Sequence, residues 1–405
     1  MRPYRGSPSP HGGVRARVAS ALADVPGWAW AVALATLAGV VYLVTGPGRV
    51  DDAFSPLADA FLAGRLTVPD GSSLELVRHA DGFSFVPYPP IPALPFMLTN
   101  LLHLPITNPM LTALAGGIAV LLAYSLLRGL DTPVATSLVG SAALAAAMLW
   151  MAGLGGTWLY AQVLAAAFLL GSLNLAVRDR WPLAAGLLLG LAAGSRLPCG
   201  LALPLLLYLY RARRRSWVLL LDGLVAIAIP LAAYNLLRFG SPFDFGYDRI
   251  TFSDGRSVLD EPLFANGIES ITYIPRSLGV MFLSGFDVVT SFPWLRPNFS
   301  GLSVLLVAPA FVMAVAGWRN RLGAVACGTA VLIMLPNWAH GSWGLYQFGF
   351  RFFLDAMPVL LVALAVAYRE RVTPALLGAV LLSAAVNAYG LWADAASLFV
   401  DPPAI

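Results

Sequence analysis

The sequence predicts an all-α polytopic membrane protein with about eleven transmembrane helices, and further interfacial helices in its first extracytoplasmic loop. Three observations lead there. Of 405 residues, 59% are apolar and 11% charged, where an average soluble domain is about a quarter charged. The apolar residues gather into separate runs that approach the roughly 20 residues a helix needs to cross a bilayer. The arginines between those runs are distributed unequally over the two faces that the spans define.

Residues 1–27 are rich in Arg, Gly, Pro and Ser and carry Arg2, Arg5, Arg15 and Arg17, the composition of a disordered cytoplasmic tail. Trp28 to Thr45 follows as the first span. It lacks a small-residue cleavage site and reads as a retained anchor. Residues 28–237 form one transmembrane module that includes an external loop at 46–108, and residues 238–300 form a second external loop. Residues 301–405 hold the C-terminal helices. Further spans are expected at 109–127, 133–151, 158–177, 182–194, 197–210, 216–237, 301–317, 322–336, 357–368 and 373–391.

Ile91 to His103 is too short to span and holds Pro92 and Pro95, so it reads as re-entrant or interfacial. With the N-terminus inside, 15 of the 25 arginines then face the cytoplasm and 16 of the 21 acids face outward. A spanning Ile91–His103 would place Arg211, Arg213, Arg214 and Arg215 outside, against the positive-inside rule. The same rule splits 182–210 into a hairpin with Arg196 at its tip.

Composition also removes chemistries. Every basic residue is Arg, so a Walker A lysine and Schiff-base catalysis are both excluded. Gly153, Gly155 and Gly156 therefore read as a tight turn between helices. Cys199 and Cys327 lie inside apolar runs, where a structural disulfide is not expected. Four histidines without helical pairing give no zinc motif, no GxSxG elbow supports a serine hydrolase, and the spread of charge leaves no patch for nucleic acid.

Asp51 and Asp52 follow the first span beside Arg49, and Ser55-Pro56 reads as an N-cap with proline at the first helical position of a short helix over about 56–63. An acid pair at the membrane surface can accept a proton from a hydroxyl or bind a divalent cation. Spacing alone favours solvated loop acids near a helix N-terminus. The prolines at 87, 89, 90, 92 and 95 stiffen the approach to the interfacial segment. Arg196, Arg238 and Arg351 come from distant segments of one face, and their planar forks suit a phosphate or diphosphate, while headgroup anchoring explains each one singly. Asp244, Asp248 and His340 share that face as contacts for a polar acceptor. Tyr247, Trp338, Trp343 and Tyr346 resemble either sugar-stacking platforms or an interfacial aromatic belt, and the belt is the plainer reading.

Five stretches taken together resemble the GT-C superfamily of membrane glycosyltransferases. They are DDAFSPLADAFLAGRL from Asp51, YPPIPALPF, GLLLGLAAGSRLP ending at Pro198, YNLLRFGSPFDFGY ending at Tyr247, and FGFRFFLDAMP ending at Pro358. The chain is most similar to the protein O-mannosyltransferase and aminoarabinose-transferase type. The resemblance implies a polyprenyl-phosphate-linked sugar as donor, inversion at the anomeric carbon and a multi-pass protein of the plasma membrane with an extracytoplasmic site. The acceptor would be a hydroxyl of a glycan, lipid or protein. It implies Asp51 as the base, with Asp52 in place of the family's usual Glu, so that either of the two is left as the acting group. Arg196, Arg351 and Arg238 are expected at the donor phosphate, and Asp244, Tyr247 and His340 at the acceptor or sugar. No metal ligand is assigned, and a divalent cation is left open. The competing expectation is a non-catalytic transporter or binding protein for polyprenyl-linked glycans, which predicts acids along the spans, where Asp222 alone clearly lies.

Overall fold

A computed structural model of the chain describes residues 25–46, 50–79, 82–252, 254–344 and 346–400. Arg49 and nearly all of the tail expected at 1–27 lie outside the described residues.

Helix α1 (Gly27–Thr45) runs the length of a helical bundle. A short α2 (Phe54–Leu62), strands β1 (Val68–Pro69), β2 (Glu75–Arg78) and β3 (Phe83–Phe85), and α3 (Ala93–Leu101) follow. Three long helices then run up and down: α4 (Asn108–Gly129), α5 (Val134–Leu154) and α6 (Thr157–Val177). Next come α7 (Pro182–Ala193), a 3-10 segment over Leu197–Ala202 that leads into α8 (Leu203–Leu209), and α9 (Arg214–Phe239). The second long loop carries a 3-10 turn at Tyr247–Arg249, β4 (Thr251–Phe252), α10 (Ile274–Leu283), and the pair β5 (Asp287–Val288) and β6 (Leu295–Arg296). A broken pass is built from α11 (Val304–Val307), α12 (Pro309–Met313) and a 3-10 segment over Ala314–Arg319. The chain closes with α13 (Arg321–Ala339), a 3-10 turn at Arg351–Asp355, α14 (Met357–Ala367) and α15 (Pro374–Ala395).

Seven of these helices, α1, α4, α5, α6, α9, α13 and α15, are long and apolar enough to cross a membrane. They match seven of the expected spans. The other four expected spans, at 182–194, 197–210, 301–317 and 357–368, are shorter or broken. Their local cause is visible in the sequence: Pro182, Pro198, Pro204, Pro309 and Pro358 each interrupt or start a segment. The turns after 197–210 and 357–368 still meet turns between earlier helices at one end of the bundle. There the Tyr210 hydroxyl donates to the Arg180 carbonyl at 2.6 Å, Arg213 lies 3.8 Å from Asp179, and Arg369 lies 3.4 Å from Asp131.

Helix α3 has nine residues and so rises about 14 Å, less than half of the ~30 Å hydrocarbon core. It lies against α2, where Asn100 Nδ2 donates to Asp59 at 2.7 Å. These are the interfacial helices of the first loop. The cap of α2 is not Ser55, as the sequence suggests. The helix begins at Phe54, so Asp52 stands ahead of it, and its Oδ1 accepts the N–H groups of Phe54 at 3.0 Å and Ser55 at 3.3 Å.

Within an otherwise helical protein, the first loop also forms a small antiparallel sheet in the order β1-β3-β2-β4. Its fourth strand comes from the second loop, with Glu75 opposite Phe252. The sheet therefore ties the two loops together and brings the Tyr247 turn to the side of Glu75.

Candidate active site

At the opposite end of the bundle from the arginine-rich turns, the two glycines between α5 and α6 create a close approach. Gly155 and Gly156 have φ of +74° and +96°, a region glycine enters without steric cost. A side chain at Gly156 would stand 3.3 Å from the Asp51 carbonyl oxygen. This turn lets the chain carrying the two aspartates lie on the first residue of α6. Thr157 N–H donates to the Asp51 carbonyl at 2.9 Å, and Gly156 N–H donates to Asn108 Oδ1 at 2.7 Å.

Asp51 is held by four donor contacts. The Ser73 hydroxyl straddles both carboxylate oxygens at 3.0 and 3.1 Å, Leu74 N–H reaches Oδ1 at 2.9 Å, and the Thr157 hydroxyl reaches Oδ2 at 2.7 Å. Asp52 points elsewhere. Besides capping α2, its Oδ1 accepts from Asn108 Nδ2 at 3.0 Å. Burial pushes its carboxyl up from the ordinary value, against the pull of those hydrogen bonds. With their oxygens turned to protein donors, the pair makes a poor cation cradle. Among the described residues no cluster of three His, Cys, Asp or Glu side chains is placed to hold a metal.

The neighbour of Thr157 carries the rest of the site. Trp158 Nε1 donates to the Tyr88 hydroxyl at 2.7 Å and leans on Glu75 Oε2 at 3.4 Å, while the Tyr88 hydroxyl itself donates to Glu75 Oε2. Burial pushes the Glu75 carboxyl above its usual value, while the Tyr88 hydrogen bond and the Arg351 charge oppose the shift. The Arg351 guanidinium lies over the Trp158 ring, 5.4 Å from its centroid, and 5.2 Å from the centroid of Phe352. On the same Phe352 ring, 5.0 Å from its centroid, lies Arg196.

The two guanidinium groups are served differently. Arg196 donates to Asp355 at 2.9 Å and to Asn337 Oδ1 at 3.1 Å. Arg351 uses only its backbone among the described residues: its N–H reaches Gln347 Oε1 at 3.0 Å and its carbonyl accepts from Gln162 at 3.1 Å. Its buried Nε has no partner. Burial, with the Arg196 charge in second place, draws this guanidinium down to about 10, so it still carries its charge at neutral pH. A desolvated cation without an ion pair beside a second cation is a site prepared for an anion.

Tyr247 joins this cluster through its ring, 6.5 Å from that of Tyr88. His340 sits beside Phe352 at 6.2 Å between ring centres. Burial draws its imidazole down to about 4, and the surrounding Arg196, Arg351 and Arg276 act in the same direction, so it is neutral at physiological pH. Arg238 and Asp244 are turned to other tasks. Arg238 donates to the Val86 carbonyl and to Asn235 Oδ1 and is packed on Tyr234 and Phe239. Asp244 pairs with Arg249 at 2.5 Å and accepts Gly246 N–H at 2.8 Å.

The chain matches glycosyltransferase family 87 over residues 85–336, more than half of its length. The chain belongs to that family. It is a multi-pass membrane glycosyltransferase. No curated protein and no solved structure matches it. The matched stretch holds Tyr88, Trp158, Arg196 and Tyr247, while Asp51, Glu75, His340 and Arg351 come from its two flanks. The candidate site is therefore drawn from three parts of the sequence.

Sequence reasoning missed Glu75, Tyr88, Trp158 and Asp355. The signal for Asp355 was its place four residues after Arg351 in a run that is otherwise apolar or aromatic. Trp158 stood at the start of a span, where an aromatic belt explains it equally well. Glu75 alternates with Leu74, Leu76 and Val77, a strand pattern too short to stand out.

Proposed function

We propose that this transferase moves a sugar from a polyprenyl-phosphate carrier to a hydroxyl of an envelope glycan, lipid or protein on the outer face of the plasma membrane. The single observation that carries the reading is the Arg351 guanidinium, which has no ion pair among the described residues. It is desolvated, shares the Phe352 ring with Arg196, and lies against the same end of α6 as Asp51.

Asp51 is the base and Asp52 the cap that aims it. The acceptor hydroxyl gives its proton to Asp51 as its oxygen forms the new bond to the anomeric carbon. The bond from that carbon to the carrier oxygen breaks on the opposite face, which inverts the centre. The electron pair leaves with the phosphate, whose growing charge Arg351 and Arg196 stabilise. A lipid carrier is favoured over a soluble donor because the two cations stand at one end of a bundle of apolar, membrane-spanning helices: Gln162 of α6 holds the Arg351 carbonyl, and the Arg351 guanidinium lies over Trp158 at the start of the same helix. Tyr247 and His340 border the same space and fit the sugar or acceptor.

The purified protein incubated with labelled polyprenyl-phosphate sugars tests this reading. Replacing Asp51 with Asn keeps the shape and removes the base, and transfer is expected to fall roughly 100- to 10,000-fold. Arg351→Gln is expected to weaken the leaving-group step comparably. Full transfer by the Asp51→Asn protein would refute the assignment.

A further inference from the structure

We infer that Glu75 is a specificity-determining residue that accepts a hydrogen bond from one hydroxyl of the sugar being transferred. The inference rests on the donor reading above and adds to it the residue that selects among sugars.

Glu75 stands where the sugar must lie. Thr157 fixes Asp51 and the adjacent Trp158 touches both Glu75 and Arg351. In a displacement at the anomeric carbon the base and the leaving phosphate flank the sugar ring, so a group set between Asp51 and Arg351 borders that ring. The Glu75 side chain is pinned there through one oxygen alone. Oε2 takes the Tyr88 and Trp158 donors, and Oε1 has no donor among the described residues.

The arrangement is expensive in the empty protein. A half-buried carboxylate stands near a second carboxylate, with no ion pair to Arg351 within 4 Å among the described residues. The surrounding groups with a charge or an ionisable proton are Asp51, Arg351, Tyr88 and Tyr247, and none donates to Oε1. A neutral Gln would satisfy Tyr88 and Trp158 at lower cost. What a carboxylate adds is a strong acceptor for a hydroxyl that arrives with the substrate. The strand pairing of Glu75 with Phe252 and the indole of Trp158 hold this acceptor rigid, as a selective contact requires.

The full-length protein in lipid nanodiscs tests the inference with polyprenyl-phosphate mannose, glucose and arabinose, followed by singly deoxygenated versions of whichever sugar is transferred. For the wild type, removal of one particular hydroxyl is expected to lower kcat/KM roughly 10- to 100-fold, the range of a hydrogen bond to a charged acceptor. Glu75→Gln is expected to lose a similar factor with the intact donor and to lose no more when that same hydroxyl is absent. The other deoxy donors should cost both proteins equally. A merely structural role would lower activity without regard to which hydroxyl is missing. Glu75→Asp, which retains the charge on a shorter arm, is expected to show a partial form of the same pattern.

Equal transfer by Glu75→Gln and wild type, or an identical deoxy profile in both, would overturn the inference. So would a wild-type profile in which no single hydroxyl matters tenfold, whatever the stability of the variants. Absence of transfer by the wild type from every carrier would instead refute the donor reading and take this inference with it.

Discussion

Asp51 and Asp52 are neighbours in the chain with separate structural tasks. One accepts hydroxyl and N–H donors at the mouth of α6, and the other closes the N-terminus of α2 and holds Asn108. Asp52→Ala removes a helix cap, which costs about 1 kcal/mol, so thermal unfolding should shift modestly downward. Transfer should fall less than in Asp51→Asn, because the proposed base remains and only its aim loosens. His340 gives a pH signature of its own. Its folded value of about 4 lies below the ordinary 6.5, so the neutral ring favours the fold in full above pH 6.5. That contribution is lost as the pH falls through 4, where the imidazole must take a proton amid three arginines. Melting temperatures recorded between pH 7 and 4 should fall more steeply for the wild type than for His340→Gln. Arg196 and Arg351 stood out in the sequence because they come from distant segments of one face, although headgroup anchoring explains each one singly. Glu75 did not, because an acid in a polar loop looks ordinary until a sheet and an indole enclose it.

Between elements, the helix that leads to Arg196 meets α9 at a glycine seam. A Cβ on Gly186 would stand 2.0 Å from the Leu220 carbonyl oxygen, and one on Gly223 would stand 2.2 Å from that of Leu183. The two helices touch backbone to backbone, as small residues allow in membranes. Gly186→Ala must push them apart, at a cost of about 1–3 kcal/mol, and tilt the hairpin whose tip carries Arg196. Lowered thermal stability together with a raised KM for the carrier is expected, and an unchanged KM would show that the tip is positioned by Asp355 alone. The long helices were legible because an apolar run of twenty residues admits few structures. The sheet was not legible, since its strands have two to four residues and take their order from pairing across loops more than 150 residues apart, information that no local pattern holds.

At the scale of the whole molecule, the two ends of the bundle differ in charge and in architecture. One end has short turns crowded with Arg128, Arg178, Arg180, Arg211, Arg213, Arg214, Arg215, Arg319, Arg321, Arg369 and Arg371. The other has two long loops, the sheet, and most of the acids. The proposed orientation follows the positive-inside rule and puts the first end in the cytoplasm, so that the proposed site at the second end would work on the outer leaflet. Arg211 and Asp254 are both exposed, at opposite ends. In a background with Cys199 and Cys327 replaced, Asp254→Cys should react with a membrane-impermeant maleimide on intact cells, and Arg211→Cys only after the membrane is opened. The reverse pattern would put the charged site inside, where soluble nucleotide sugars are at hand, and the argument for a lipid carrier would lose its main support.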